Sequence, residues 1–371
     1  MNRILFLVQL PPPVHGAAIM NAIVVNSKLI AGQFEGQHVN IGASGKIEDI
    51  GRFSASKIPG VVRTFVSIIQ KLSVFRPDIV YLSLSPSGFA FYRDVIYVHI
   101  VRLFGPKLVL HLHGKGLRRG AEKGRLYRRL SRGVFKNSHV IFLSEGLRSD
   151  ATGLPYKSSF VVNNGIPDEP VAPGVMHEGK GEIRILYLSN YVRSKGVIDL
   201  VDALELVSRT HNSFLVDLAG RPNDIPTDYL ERYVREKGLE GRVRVCGPKY
   251  GPDKFKLLAD ADIFILPTYY DNEAFPLSIL EAMQSGLAVI STYEGGIPDM
   301  VDDGVNGLLF PKRDISALAE KIIYLLDHPE ERKLLGEAAR KKFTEKFTVS
   351  NFESNMLQVF QRICSPGPTH P

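Results

Sequence analysis

Residues 272–283 read Asn272-Glu273-Ala274-Phe275-Pro276-Leu277-Ser278-Ile279-Leu280-Glu281-Ala282-Met283, and this stretch decides how the chain is interpreted. It reads as the start of a buried helix with Pro276 at the first helical position, where the N–H that proline lacks would be unpaired anyway. A helix N-terminus carries about half a positive charge and favours phosphate. Glu273 and Glu281 would repel phosphate, so their expected partners are hydroxyl groups. The stretch therefore predicts either a ligand with phosphate and sugar hydroxyls, such as a nucleotide sugar, or a capped core helix with solvated acids.

Length and cysteine content limit the class of protein. The chain has 371 residues, more than one hydrophobic core usually supports, which favours two domains. Its two cysteines, Cys246 and Cys364, lie far apart without a CxxC spacing. This argues against a disulfide framework and against a zinc site, and it fits a reducing compartment.

The N-terminal apolar run is interpreted as a first strand. Residues 4–8 are too few to span a membrane and lead directly into Pro11-Pro12-Pro13, which does not suit a signal peptide. No later segment offers about twenty consecutive apolar residues. We therefore expect a cytoplasmic location.

The first half of the chain alternates short apolar runs with helical stretches. Strands are predicted at residues 4–10, 79–84, 107–111, 140–144 and 160–162, and helices at 17–30, 61–74 and 126–135. This order is typical of parallel strands joined by crossover helices. A run rich in proline and glycine then begins at residue 163 and extends to Gly181. We predict a first domain over 1–165 and a linker over 166–181.

The second half repeats the same order of elements. Strands are predicted at residues 183–188, 214–219, 243–246, 263–266 and 288–291, and helices at 196–210, 229–237, 252–259, 276–285 and 315–326. The second domain is predicted over 182–348, followed by a helix over 349–364 that packs back on the first domain and a disordered tail over 365–371. Two doubly wound α/β domains in tandem predict a ligand site at the carboxyl ends of the strands, in a cleft between the domains.

Two further motifs follow predicted strands. Lys195 and Gly196 stand at a strand-to-helix turn, where a lysine can neutralise phosphate and a glycine lets the backbone approach, with Arg193 as a second cation. The alternative is a solvated lysine in a surface turn. Gly295 and Gly296 follow a later strand. They either bring backbone N–H groups close to a ligand or form an ordinary turn.

Together these motifs resemble a known family. Glu273 and Glu281 with seven residues between them, Phe275-Pro276, the preceding segment 261–268 and the following segment 295–309 are similar to the donor half of glycosyltransferase family four, the group 1 glycosyltransferases. The resemblance is strong over residues 160–360 and looser before them. It implies the GT-B fold, with two Rossmann-like domains, and a retaining enzyme that uses a nucleotide sugar.

The resemblance also implies roles for single residues. Glu281 would hold the nucleotide ribose, Glu273 the hydroxyls of the donor sugar, and Lys195 the diphosphate. The other implied donor-binding positions are Gly16, Asn190, Arg193, Ala274, Phe275, Pro276 and Leu277. Asn190 stands where relatives usually have an arginine, and Arg193 is the candidate to replace it. His113 follows a first-domain strand, on the same face as His111, where relatives place a histidine beside the transferred sugar.

The implied reaction is transfer of a hexose-type sugar from a UDP-sugar or GDP-sugar with retention, in which His113, Glu273 and Lys195 form the catalytic set. The departing phosphate itself would act as the base on the same face, so no metal or other cofactor is expected. The Asp260-Ala261-Asp262 triplet resembles a metal-binding DxD motif but opens a predicted strand and is interpreted as a turn.

A basic patch covers residues 115–136. Residues 101–136 carry eleven Lys or Arg and one acid, a net charge of +10 in a chain whose total is +7. Leu126, Leu130 and Val134 recur every four residues, which predicts an amphipathic basic helix after a glycine-rich loop at 114–120. Such a patch fits an anionic membrane surface and a polyprenyl-linked or other lipid-linked acceptor.

The alternative interpretation of these basic residues is a solvated helix face. Nucleic acid is disfavoured because stacking aromatics are not interleaved with the basic residues.

Three classes of function follow. The leading one is a glycosyltransferase of bacterial surface polysaccharide or glycolipid assembly, bound peripherally to the inner face of the plasma membrane. A sugar-nucleotide epimerase of the same two-domain fold is the alternative. A nucleotide-dependent dehydrogenase is disfavoured because no predicted strand ends in GxGxxG followed by an acid.

Overall fold

The computed structural model describes residues 1–42, 58–169 and 182–365. The chain divides into two compact units. Unit 1 comprises residues Met1–Gly165 and Val349–Pro371, and unit 2 comprises Ile166–Thr348. Most of the predicted linker, at 170–181, and the tail after Ser365 lie outside the described residues. The predicted disorder of that tail therefore stays a prediction.

Unit 1 is built on one parallel sheet of six strands with the order β2-β1-β3-β4-β5-β6. The strands are β1 (Asn2–Val8), β2 (Phe34–Asn40), β3 (Ile79–Leu84), β4 (Lys107–Leu112), β5 (His139–Phe142) and β6 (Ser158–Val161). The helices are α1 (Gly16–Asn26), α2 (Lys28–Ala31), α3 (Ile58–Phe75), α4 (Gly88–Leu103), α5 (Leu117–Lys123), α6 (Arg125–Phe135) and α14 (Val349–Cys364), with a short 3-10 helix at Gly146–Ala151. Apolar runs such as Ile4–Val8 are buried because helices cover parallel sheets on both faces.

Helix α14 belongs to unit 1 because its apolar face joins that core. The ring of Phe360 packs edge-on against Tyr81 at 6.0 Å, Phe34 at 6.1 Å and Phe6 at 6.2 Å between centroids. Edge-to-face contacts at such distances are favourable for aromatic pairs.

Unit 2 is built on a second parallel sheet, with the order β12-β11-β10-β7-β8-β9. Its strands are β7 (Ile183–Leu188), β8 (Phe214–Ala219), β9 (Val243–Gly247), β10 (Ile263–Leu266), β11 (Ala288–Thr292) and β12 (Leu308–Phe310). Its helices are α7 (Val197–Ser208), α8 (Thr227–Glu236), α9 (Gly251–Asp260), α10 (Leu277–Gln284), α11 (Ile297–Met300), α12 (Ile315–Asp327) and α13 (Pro329–Lys346), with a 3-10 helix at Arg193–Lys195. Two doubly wound α/β units were predicted, and this fold class is confirmed.

Several elements differ from the sequence prediction. The predicted helix 17–30 is two helices, because the hydroxyl of Ser27 accepts the Ile30 N–H at 3.3 Å and starts α2. The predicted glycine-rich loop at 114–120 is wrong in its second half, which belongs to α5. The Asp150 carboxylate accepts the N–H groups of Gly116, Leu117 and Arg118 at 2.8–3.0 Å and so stabilises the start of that helix.

The buried face of the basic helix α6 also differs from the prediction. Tyr127, Ser131, Val134 and Phe135 are its buried residues, whereas Leu126 is 64% exposed. Of the predicted row Val134 is buried and Leu126 is not. Tyr127 anchors the core face instead, because its ring packs on Phe91 of α4 at 4.2 Å and its hydroxyl donates to the Pro86 carbonyl at 2.5 Å. None of the helices that the structure describes is long and apolar enough to cross a membrane.

Candidate functional site

The strand order of unit 2 places a topological switch point between β7 and β10. From β7 the chain adds β8 and β9 on one side, and then continues with β10, β11 and β12 on the other. In such sheets the loops after the two central strands diverge and open a crevice where ligands bind. These loops are residues 189–196 after β7 and 267–276 after β10. They contain Lys195 and Glu273.

Lys195 and Glu273 form an ion pair at this switch point. The Lys195 Nζ lies 2.5 Å from Glu273 Oε2, and both side chains are largely buried. The Thr268 hydroxyl donates to the same carboxylate oxygen at 3.1 Å, and Nζ lies 4.9 Å from the centre of the Tyr270 ring. Glu273 Oε1 accepts no hydrogen bond within the described chain. Two groups that the family resemblance assigns to different parts of one ligand therefore contact each other directly.

Backbone contacts hold the two loops in register. The Tyr269 N–H donates to the Ser194 carbonyl at 2.8 Å. Gly196 has a left-handed backbone, and a Cβ there would overlap the Pro267 carbonyl. The lack of a side chain at Gly196 therefore allows the two loops to pack closely against each other. Below them, burial raises the pKa of the Tyr187 phenol, which donates to the Asn190 carbonyl at 3.2 Å.

A second lysine–glutamate pair lies on the neighbouring helices. The Lys254 Nζ, on α9, lies 2.6 Å from Glu281 Oε1, on α10. Glu281 Oε2 accepts no hydrogen bond from any described residue. Each of the two glutamates thus has one oxygen held by a lysine and one available to a hydroxyl group. Lys254 could not be recognised from the sequence, because its partner lies 27 residues away and no local motif connects the two residues.

Helix α10 begins one residue later than predicted. Pro276 has φ −67° and ψ 120° and is the N-cap, so Leu277 is the first helical residue. A proline cap has no side chain that can accept the first N–H groups. Within the described chain the N–H groups of Leu277 and Ser278 donate no hydrogen bond. These two amides, at the positive end of the helix, suit an anionic ligand group.

The remaining predicted residues of this segment serve packing. Ala274 and Phe275 are buried, and the Phe275 ring packs edge-on against Phe347 at 5.6 Å. Their predicted contacts to a donor stay predictions.

The cation proposed to replace the missing family arginine, Arg193, lies in the loop after β7, two residues before Lys195. The Arg193 side chain is exposed, and in the described part of the chain no ion pair joins it to Glu273 or Glu281. Burial raises the pKa of Asp199, and the nearby charges of Arg313 and Arg193 oppose that rise. The charge of Arg193 also acts on Tyr269, in the loop after β10. Asn190 is exposed as well.

The glycine pair after β11 supports the glutamate loop, and its predicted alternative of donating N–H groups to a ligand is wrong. The Gly296 N–H donates to the Ala274 carbonyl at 2.7 Å, and the Gly295 N–H donates to Glu294 Oε1 at 3.2 Å. Gly295 has φ 60°, and a Cβ there would overlap the Glu273 carbonyl. Both amides are therefore used inside the protein.

In unit 1, His113 follows β4 and stacks on His111 with 4.0 Å between ring centroids. Both ring nitrogens of His113 and Nε2 of His111 are buried without a partner among the described residues. Burial lowers the pKa of His113 to about 3, with a smaller effect of the nearby His15. Burial also lowers the pKa of His111, whose Nδ1 lies 2.6 Å from the Tyr81 hydroxyl. His113 is therefore a neutral imidazole at pH 7 with two unused hydrogen-bonding atoms.

Gly16 is the first residue of α1 and is exposed. The residue before it, His15, caps the helix through Nδ1, which accepts the Ala18 N–H at 3.3 Å. Gly16 was predicted to bind the donor, whereas His15 was not singled out because histidine is an unusual residue at a helix N-cap.

Metal binding was not expected, and its absence stays a prediction. Over residues 1–42, 58–169 and 182–365, no group of three or more His, Cys, Asp or Glu side chains could hold a metal ion. Asp262 accepts the Arg184 N–H at 2.8 Å, and Asp260 pairs with Lys256 at 3.0 Å. Both aspartates precede β10 and so lie at the sheet edge opposite the switch-point loops.

The site of unit 2 brings together Lys195, the first amides of α10 and the carboxylates of Glu273 and Glu281, groups that suit a ligand with anionic and hydroxyl groups. Residues 174–342 match the family model described as glycosyl transferases group 1. Glycogen synthase of Mycobacterium tuberculosis is 28% identical over 200 residues, which cover 54% of this chain and 47% of that protein. The amylovoran biosynthesis glycosyltransferase AmsK of Erwinia amylovora is 26% identical over 217 residues, which cover 57% and 53%. The match to the group 1 glycosyl transferases thus lies in unit 2.

The chain spans about half the length of these first curated relatives. Among solved structures, the Anabaena protein HepE in complex with UDP-glucose has a TM-score of 0.72 and 20% identity, covering 97% of this chain and 99% of that one. At this identity the similarity shows the fold, which is that of the GT-B glycosyltransferases.

Proposed function

We propose that this protein transfers a hexose-type sugar from a UDP-sugar or GDP-sugar to a glycan or lipid-linked acceptor, with retention at the anomeric carbon. The observation that carries the proposal is the Lys195–Glu273 pair at the switch point of a group 1 glycosyl transferase domain. HepE was solved with UDP-glucose, and AmsK is named for amylovoran biosynthesis. These relatives support a nucleotide-sugar donor and a role in surface polysaccharide or glycolipid assembly.

In the proposed reaction the bond between the anomeric carbon and the diphosphate oxygen breaks. The acceptor oxygen bonds to the same face of that carbon, and its proton passes to the departing diphosphate. Lys195 and the amides of Leu277 and Ser278 stabilise the charge that grows on this leaving group. Glu273 Oε1 accepts a hydroxyl of the donor sugar, and Glu281 Oε2 accepts one of the ribose.

The family resemblance assigns Gly16 to the donor phosphate and His113 to the transferred sugar. A neutral imidazole with two unused nitrogens suits a hydroxyl group, because it can both donate and accept a hydrogen bond. His113 is therefore proposed as a hydrogen-bonding group of the catalytic set, without a change of charge during transfer. Arg193 remains the proposed replacement for the family arginine, because its charge acts near Asp199 and also near Tyr269 in the loop after β10.

The experiment that tests this function is incubation with a panel of UDP-sugars and GDP-sugars, without added metal and with a chelator present. We expect slow release of the nucleoside diphosphate from one donor, accelerated when a suitable acceptor is supplied. Isomerised sugar on an intact nucleotide would instead indicate the epimerase, which the family match and the named relatives do not favour. No release from any donor, together with no binding of UDP or GDP, would overturn the proposal.

We also propose that α5 and α6 hold the protein on the anionic inner face of the plasma membrane, in keeping with a lipid-linked acceptor and a cytoplasmic active site. Arg125, Arg128 and Arg129 are exposed on α6 beside the exposed Leu126. On α4, which packs on α6, Tyr92 and Ile96 are exposed too. A surface that combines arginines with apolar side chains suits a lipid interface better than a purely basic one.

Replacing Arg125, Arg128 and Arg129 by glutamine is expected to weaken binding to anionic liposomes at low salt by roughly a hundredfold. Each basic residue near such a surface contributes about 1 kcal/mol. The matched control replaces three exposed lysines of α13 by glutamine and so removes the same amount of charge. These lysines are Lys333, Lys341 and Lys346. Sedimentation with liposomes measures both variants. Equal retention of the wild type and the arginine variant would refute this docking surface.

A further inference from the structure

Lys254 lies on α9 at the carboxyl-end side of the unit 2 sheet, where it makes the ion pair with Glu281. Its Nζ is 2.6 Å from Glu281 Oε1, and the two side chains are 23% and 19% exposed. Lys256, two residues further along the same helix, is 75% exposed and pairs with Asp260 instead. The two lysines lie on the same helix, but one is largely buried and the other is exposed. Of these two, Lys254 is the one next to the proposed nucleotide site.

The pair has a consequence for the free carboxylate oxygen. A glutamate has three rotatable side-chain bonds, and an unheld carboxylate near the surface samples several orientations. The contact of Lys254 with Oε1 restricts the rotation of the carboxylate and so narrows the directions in which Oε2 can point. A hydrogen bond to a charged acceptor is strong only when its geometry is defined.

We infer that Lys254 is a positioning residue that aims Glu281 Oε2 at a ribose hydroxyl and thereby makes the site selective for ribonucleotides. The inference rests on the proposed function, in which Glu281 holds the ribose of the donor. It adds a residue that acts through Glu281 without touching the ligand. A site built to hydrogen-bond a hydroxyl rejects the analogue that lacks it, because its acceptor is then left unpaired.

The test compares the binding of ribonucleotides and deoxynucleotides by titration calorimetry. UDP and GDP are titrated first, and the one that binds wild-type protein is then compared with its 2′-deoxy and 3′-deoxy forms. We expect wild-type protein to prefer the ribonucleotide by roughly tenfold to a hundredfold over at least one deoxy form. Lys254→Met should reduce this preference at least fivefold, because it weakens the binding of the ribonucleotide and leaves the binding of the deoxy form unchanged. Lys256→Met, the matched control, should keep it.

A second comparison separates positioning from direct contact. In a Glu281→Gln background the addition of Lys254→Met should change the Kd of the ribonucleotide less than twofold, because the lysine no longer has a carboxylate to hold. Lys254→Arg, which keeps the charge, should restore part of the preference. Thermal unfolding of every variant establishes that the protein is folded.

Nucleotide binding by wild-type protein distinguishes a failure of the proposed function from a failure of the role given to Lys254. Binding of neither UDP nor GDP by wild-type protein would overturn the proposed function and this inference with it. Ribonucleotide binding with an unchanged preference in Lys254→Met would overturn only the role of Lys254. An equal loss of affinity in the wild-type and Glu281→Gln backgrounds would also overturn it, because Lys254 would then contact the ligand itself.

Discussion

Replacing Lys195 by methionine is expected to lower the rate of sugar transfer by roughly a hundredfold to a thousandfold, the usual effect of losing one group that stabilises developing charge. Methionine keeps most of the length of the side chain and removes the cation next to the leaving diphosphate. Initial rates of nucleoside diphosphate release measure the loss. Lys237→Met is the control. Lys237 follows α8, on the amino-end side of the sheet, and pairs with Asp202 and Glu205 of α7.

The same pair predicts strong coupling between Lys195 and Glu273. Because Nζ and Oε2 are 2.5 Å apart, each single change leaves a partly buried charge without its partner. The loss of transfer rate in the double variant Lys195→Met/Glu273→Gln, expressed as a free energy, should therefore be smaller than the sum of the losses in the two single variants. The difference is a coupling energy of about 1–3 kcal/mol. Additive losses would show that the two side chains act on the ligand independently, contrary to the geometry described above.

Gly295→Ala is expected to destabilise unit 2 by about 3 kcal/mol and to slow sugar transfer as well. The left-handed backbone at φ 60° costs an alanine about 1–2 kcal/mol. The remainder arises because the new Cβ overlaps the Glu273 carbonyl, so the glutamate loop must move. Since the chain contains no tryptophan, urea unfolding is followed by far-ultraviolet circular dichroism.

Gly304→Ala is the matched control for this substitution. Gly304 has φ 75°, and a Cβ there meets open space, so only the conformational cost remains. We expect Gly304→Ala to unfold at a higher urea concentration than Gly295→Ala and to retain the wild-type transfer rate. Equal unfolding midpoints and equal rates for the two variants would contradict the supporting role given to Gly295.

The buried strands could be predicted from sequence because their signal is local. Ile79–Leu84 and Ile183–Leu188 are mainly apolar, with Ser83 and Arg184 as their polar residues, and both strands have the predicted bounds. β2 was missed because it is an edge strand of mixed polarity, in which only Phe34 and Val39 are buried. α13 was missed because its sequence is dominated by charged residues with little apolar periodicity.

The candidate site was partly predictable for a related reason. Lys195 and Glu273 each follow a predicted strand, and parallel strands bring such loops to one edge of the sheet. Lys254 and Thr268 were missed because their contacts with Glu281 and Glu273 depend on how helices and loops pack in three dimensions. The role of Gly295 was ambiguous for the same reason: a glycine in sequence does not show whether a ligand or another backbone segment approaches it.

We propose above that the donor binds at the switch point of unit 2. Hydrogen-exchange mass spectrometry with and without the nucleoside diphosphate that binds tests this claim most directly. We expect the largest protection in the peptides that cover residues 189–197 and 268–281, because the proposed ligand contacts and the first amides of α10 lie there. Protection concentrated elsewhere, with these two segments unchanged at saturating nucleotide, would contradict it.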